Sequence, residues 1–195
     1  MIQPSIERLL EVMEKKGYKV YDSASVDWIL NIVGIRNRSL VPKKFDDTLV
    51  VFQKFMGDWY TSYYPVTTDP GVAWLKKPKH KRGTAILKEG QYRSAYMIRK
   101  HANRYLALCQ KRDGKNNVDV YRDNSNTGEL TFDEATVESG QFGINIHKVN
   151  IEGNKNTNTK AYSQGCTIFA DKRHFKEFML KCTFGRKAFG NSFTY

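Results

Sequence analysis

The stretch Thr48-Leu49-Val50-Val51-Phe52-Gln53-Lys54-Phe55-Met56-Gly57-Asp58-Trp59-Tyr60-Thr61-Ser62-Tyr63-Tyr64 sets the fold class. Val50, Val51, Phe52 and Phe55 give Thr48–Met56 the β-branched and aromatic character of a strand. Gly57-Asp58 then turns the chain back into Trp59–Tyr64, so the segment predicts a hairpin. Working outward, Ile29–Arg36 reads as a strand before it. Tyr96–Arg99, Tyr105–Gln110, Val118–Tyr121 and Phe142–His147 read as short strands after it, with turns at Asp113-Gly114 and Asn124–Gly128. Thr68-Asp69-Pro70-Gly71 is a strong turn signal, Asn154–Thr159 a polar loop and Phe193–Tyr195 a closing strand. Helices are predicted only at the periphery. Ile6, Leu9, Leu10 and Met13 have helical spacing between Ser5 and Gly17, and Asp171 caps a helix of about ten residues with Phe175, Phe178 and Met179 inward. Many short strands, few helices and no βαβ rhythm predict a mostly-β (α+β) domain.

Composition bounds the chemistry. The chain has 195 residues, 40% of them apolar. A chain of this size buries about 70% of its unfolded surface, so it needs neither disulfide nor metal to form a core. It carries 32 Lys and Arg against 20 Asp and Glu, a net charge of +12. The excess is concentrated, with 10 basic and 3 acidic residues in 51–100 and 8 and 3 in 151–195. The most charged segment is Lys76-Lys77-Pro78-Lys79-His80-Lys81-Arg82-Gly83. Such a balance points to an anionic partner: nucleic acid, anionic lipid or an acidic cell-wall polymer.

Three cysteines at wide spacing, Cys109, Cys166 and Cys182, do not form a secreted disulfide scaffold. The sequence offers no basic n-region followed by an apolar run, and no stretch near the ~20 apolar residues of a membrane span. The expectation is a product made in the cytoplasm.

Chemistry concentrates in Gly143-Ile144-Asn145-Ile146-His147 and in Tyr162-Ser163-Gln164-Gly165-Cys166-Thr167-Ile168-Phe169. A His that ends one strand and a Cys that opens another suit nucleophilic thiol chemistry. An imidazole within reach takes the thiol proton, and the sulfur attacks a carbonyl. Gly165 lets the backbone approach a substrate, so amides around Gly165 and Cys166 can face an oxyanion. A buried strand Cys and a His satisfied by loop groups is the competing reading of the same spacing. A zinc set of His147, Cys166, His174 and Cys182 matches no compact finger, and no metal or cofactor is expected. Cys109 reads as core. Trp59, Tyr60, Tyr63 and Tyr64 with the basic run could form a nucleic-acid stacking surface, although alternating strand aromatics are ordinarily packing.

His147, fifteen intervening residues and Ser163-Gln164-Gly165-Cys166 resemble the signature of L,D-transpeptidase catalytic domains of the YkuD type. Phage-encoded members are closer. They resemble this chain in Gly71–Leu75, Gly83-Thr84-Ala85-Ile86-Leu87, Gly90-Gln91-Tyr92, Ile144-Asn145-Ile146-His147 and Phe193-Thr194-Tyr195. The resemblance spans roughly residues 29–195, leaving 1–28 as an N-terminal helix and lead-in. It implies an L,D-transpeptidase-like β-rich domain with Cys166 as nucleophile and His147 as base. The carbonyl of Lys148 would orient the imidazole, and the amides of Gln164, Gly165 and Cys166 would line the oxyanion hole, with Tyr162 and Ser163 against the substrate. Gln164 stands where bacterial members have His, Lys148 where they often have Gly, and Ile168 where Arg or Asn is usual. These departures touch specificity more than the Cys–His pair.

The resulting expectation is a cysteine peptidase or transpeptidase acting on peptidoglycan stem peptides, phage-encoded and brought to the wall by lysis, by a holin or within a virion. The run Lys76 to Arg82 is expected to attract anionic wall polymers and to contribute nothing to the chemical step. A catalytically idle wall-binding or virion module on the same fold, and a basic nucleic-acid binder, remain as alternatives.

Overall fold

The computed structural model describes residues 2–23, 27–39, 42, 44–149 and 163–195. It is a β-rich α+β structure. Helix α1 (Ile6–Lys15) starts at Ser5, whose hydroxyl accepts from the Arg8 amide at 3.3 Å. It presents Leu9 and Met13 to Val50 and Phe52 of the sheet. The strands are β1 (Asn31–Ile35), β2 (Asp47–Phe55), β3 (Asp58–Thr67), β4 (Thr84–Leu87), β5 (Tyr96–His101), β6 (Tyr105–Gln110), β7 (Val118–Asp123), β8 (Glu138–Gly140), β9 (Ile146–Lys148) and β10 (Thr167–Phe169). Helix α2 (Val72–Lys76) follows β3, and α3 (Lys172–Phe189) follows β10.

The hairpin is longer than its apolar residues suggest. Register runs from Asp47↔Val66 to Phe55↔Asp58, and the turn is Met56-Gly57 rather than Gly57-Asp58. Both turn residues take positive φ, 51° and 90°, the handedness that a two-residue connection needs to match strand twist. The sheet containing it has seven strands in the order β1-β2-β3-β10-β9-β6-β5; β4, β7 and β8 form a second, three-stranded sheet. β9 and β10 pair in parallel, with Ile168 opposite His147. Among the described residues, every other strand pairing is antiparallel.

The main core lies under α3, where Phe175, Phe178 and Cys182 pack with Tyr64 and Phe169. Each such side chain removed from water contributes roughly 1.5–3 kcal/mol. α3 has 18 residues, longer than the sequence suggests, because Gly185 is tolerated where the helix passes the Trp28 carbonyl. The C-terminal residues close the structure without a regular strand. Tyr92 and Tyr195 exchange backbone hydrogen bonds at 2.7 and 3.3 Å, and the Tyr195 hydroxyl meets Thr167 Oγ1 at 2.9 Å. Trp59 packs on Phe52, Tyr63 donates to the Pro4 carbonyl and Tyr64 is 2% exposed. Of the four aromatics considered for stacking, only Tyr60 is exposed, at 54%. Among the described residues, no helix is long and apolar enough to cross a membrane. The expected Asn154–Thr159 loop lies outside the described residues.

Candidate active site

The parallel pairing of β9 with β10 brings the ends of two sequence motifs together. His147 lies on β9 and Cys166 immediately precedes β10, and both line one cavity of about 510 Å³. The strand predicted over Phe142–His147 is regular only at Ile146–Lys148. The irregular backbone before it serves the thiol instead. Cys166 Sγ lies 3.5 Å from the Gly143 carbonyl, which accepts its S–H, and the Asn145 amide donates to the sulfur at 3.4 Å.

The turn before the sulfur is held by Ser163, which is 1% exposed. Its hydroxyl donates to the Cys166 carbonyl at 2.9 Å and accepts the Gly165 amide at 3.0 Å, while its own carbonyl accepts the Gly71 amide at 2.8 Å. Ser163 therefore shapes the turn before Cys166, and the Gly165 N–H is taken up inside it. Gly165 has φ +114°, a conformation that side-chain-bearing residues rarely adopt. Gln164 is exposed and lines the cavity. Tyr162 lies outside the described residues.

His147 is buried, with its Nδ1 2.9 Å from the Lys148 carbonyl. The same carbonyl accepts the Tyr105 hydroxyl at 3.1 Å. An Nδ1–H directed to this oxygen leaves Nε2 as the basic nitrogen. Burial, and next the neighbouring His101, pull His147 down to about 4, against the Lys148 hydrogen bond. Burial pushes the Cys166 thiol up to about 11, partly countered by the Asn145 amide. Cys166 thus rests as a thiol hydrogen-bonded to Gly143 and Asn145, and His147 as a neutral imidazole in the same cavity.

Three participants escape a reading of the sequence. His101, at the end of β5, stacks on His147 with ring centroids 4.3 Å apart and planes at 17°. Asn145 and Tyr105 complete the group; only Asn145 lies within a stretch singled out by its sequence. The basic run also divides. Lys79 and His80 line the cavity, with Lys79 Nζ 4.7 Å above the Trp74 ring. Arg122 also lines the cavity, bound to Glu138 and stacked on Phe142 at 4.8 Å.

The remaining thiols lie elsewhere. Cys109 and Cys182 are buried, and all three cysteines are free. Among the described residues, no three His, Cys, Asp or Glu side chains are grouped to hold a metal ion. His174, on α3, packs against Tyr64 at 5.8 Å.

In comparisons with known proteins, no family model, curated protein or solved structure matches this chain.

Proposed function

We propose that this chain is a cysteine-dependent acyl-transfer enzyme of the L,D-transpeptidase type, acting on peptidoglycan stem peptides as a peptidase or transpeptidase. The observation that carries the reading is the placement of Cys166 and His147 in one cavity, with Nδ1 of His147 against the Lys148 carbonyl. That arrangement fits the roles implied by the sequence resemblance.

In the first half-reaction the thiol proton passes to Nε2 of His147 as Sγ bonds to the substrate carbonyl carbon. The Gly165 amide is held by the Ser163 hydroxyl, contrary to the sequence expectation, so the amides of Gln164 and Cys166 are left to face the developing oxyanion. Collapse breaks the C–N bond, the imidazolium proton goes to the leaving amine, and a thioester remains on Cys166. Water or an acceptor amine then attacks that thioester, gives its proton to His147 and releases the thiol. Water completes hydrolysis, and the amine completes transpeptidation.

The test is mass spectrometry of purified muropeptides incubated with wild type and with Cys166→Ala. Products that carry the mass change of L,D-bond cleavage or exchange, formed by wild type alone, support the reading. Intact muropeptides with wild type would sink it.

The raised thiol favours one second reading, a wall-binding module whose Cys166 is idle. It predicts that Cys166, the one thiol lining the cavity, reacts with iodoacetamide equally fast in wild type and in His147→Ala, whereas the enzyme reading predicts a much slower reaction in His147→Ala.

A further inference from the structure

The cavity contains a second imidazole whose protonation is fixed by its neighbours. Asn145 is the link. Its Oδ1 accepts the Gln110 amide at 3.0 Å, so the NH2 end of the side chain is the one that faces His101 Nδ1, at 3.2 Å. An NH2 group donates only, so Nδ1 of His101 must offer a lone pair and the ring proton resides on Nε2. Protonating His101 at Nδ1 would set two donors against each other, and Asn145 cannot turn over without losing Gln110. The backbone of this same Asn145 donates to Cys166 Sγ and accepts the Thr167 amide at 2.9 Å. One residue therefore fixes the thiol, the nucleophile strand and the second histidine.

We propose that His101 is the positioning residue of this cavity: held by Asn145 as the neutral Nε2–H tautomer, it covers one face of His147 and keeps that ring dry, in one orientation and uncharged. The proposal rests on the reading of His147 as the base for Cys166. The rings lie nearly parallel at 4.3 Å, so His101 takes the place that water would otherwise occupy against His147. A covered, uncharged base remains able to take the thiol proton at pH values where an exposed imidazole is already protonated.

The other groups around the pair leave His101 with this role. Tyr105, on β6, has its hydroxyl 3.5 Å from His147 Nδ1 and its ring 5.7 Å from that of His101. Lys148, on β9, directs its ammonium over the Tyr105 ring at 4.8 Å. Cys166, Lys79, His80 and Arg122 line the same cavity. Arg99, on β5, adds to burial in holding His101 below its ordinary range. None of these is a carboxylate that could draw a proton onto either ring.

The experiment is a pH titration of the full ¹⁵N-labelled chain by long-range ¹H–¹⁵N correlation of histidine rings, for wild type, His101→Ala and His101→Phe. In wild type, His101 should show a protonated Nε2, a bare Nδ1 and a midpoint below its ordinary value, because burial and Arg99 disfavour its charged form. His101→Ala should raise the His147 midpoint by about one pH unit or more, because water reaches the uncovered face. His101→Phe restores a flat ring without nitrogens and should return most of that shift. A wild-type His101 that carries its proton on Nδ1, or that titrates near its usual midpoint, would overturn the proposal. So would the same His147 midpoint in wild type and His101→Phe together with His101→Ala. If the alanine variant fails to fold, the wild-type tautomer and the phenylalanine variant still decide. These spectra need no substrate, so stem peptides left intact by wild type would defeat the acyl-transfer reading without altering this result.

Discussion

Gly165 and Ala85 approach so closely that a Cβ on Gly165 would stand 2.3 Å from the Ala85 carbonyl oxygen. Ala85 belongs to β4 of the smaller sheet and Gly165 to the turn entering β10 of the larger one, so this contact joins the sheets beside the thiol. Gly165→Ala meets two obstacles, backbone in its path and φ of +114°. It should lower stability by about 2–4 kcal/mol, read from urea unfolding. Gly57→Ala, with open space and φ +90°, should cost only about 1 kcal/mol. Equal midpoints for the two variants would refute the close approach.

The sequence made some of this legible and hid the rest for physical reasons. The β2–β3 hairpin could be read from Val50 to Phe55 because its composition is dense in strand formers. Its extension to Asp47 and Thr67 could not. Asp47 there is a buried acceptor for the Asn37 amide and for the Thr68 amide and hydroxyl, a tertiary role without a local pattern. β4 and β8 are short strands of a separate sheet, and four and three residues carry too little periodicity to show. In the site, His147 and Cys166 were visible because their strands are apolar and their flanks are small. His101 was hidden because it meets His147 only through the β5–β6 and β9 pairings, 46 positions away in sequence.

Cys166→Ala and His147→Ala should each remove nearly all conversion of stem peptides while leaving the thermal unfolding midpoint close to wild type. Proton acceptance and sulfur attack are one event, so the double variant should be no slower than either single one. Product formation by muropeptide mass spectrometry is the readout. Near-wild-type turnover in one variant would remove that residue from the mechanism.

The pH dependence follows from the neutral resting pair. His147 is held at about 4 against an ordinary value of 6.5, so the acid limb of activity should lie near the lower figure. The same shift affects stability. Between these two values the unfolded chain binds a proton that the folded chain does not. Stability from His147 is therefore full above the ordinary value and is lost as pH falls toward the folded value, by about 3 kcal/mol at most. His147→Gln should flatten this part of the stability curve. An acid limb near 6.5 in wild type would contradict the buried, neutral imidazole.

The basic run should separate into two functions, because the fold places its members differently. Lys79 and His80 line the cavity, whereas Lys76, Lys77 and Lys81 are exposed outside it. Exposed cations act at long range and are screened over about 8–10 Å, so they assist capture of an anionic polymer without touching the reacting atoms. Replacing Lys76, Lys77 and Lys81 together by Ser should weaken binding to whole sacculi at low salt and leave turnover of a small soluble muropeptide unchanged. Lys79→Ala removes an ammonium that stands over Trp74 at the cavity wall, and should raise KM for that small substrate by roughly threefold to tenfold with kcat little altered. An unchanged KM would return Lys79 to the outer group. A fall in kcat with KM unaltered would instead place Lys79 in the chemical step, where its charge could face the oxyanion.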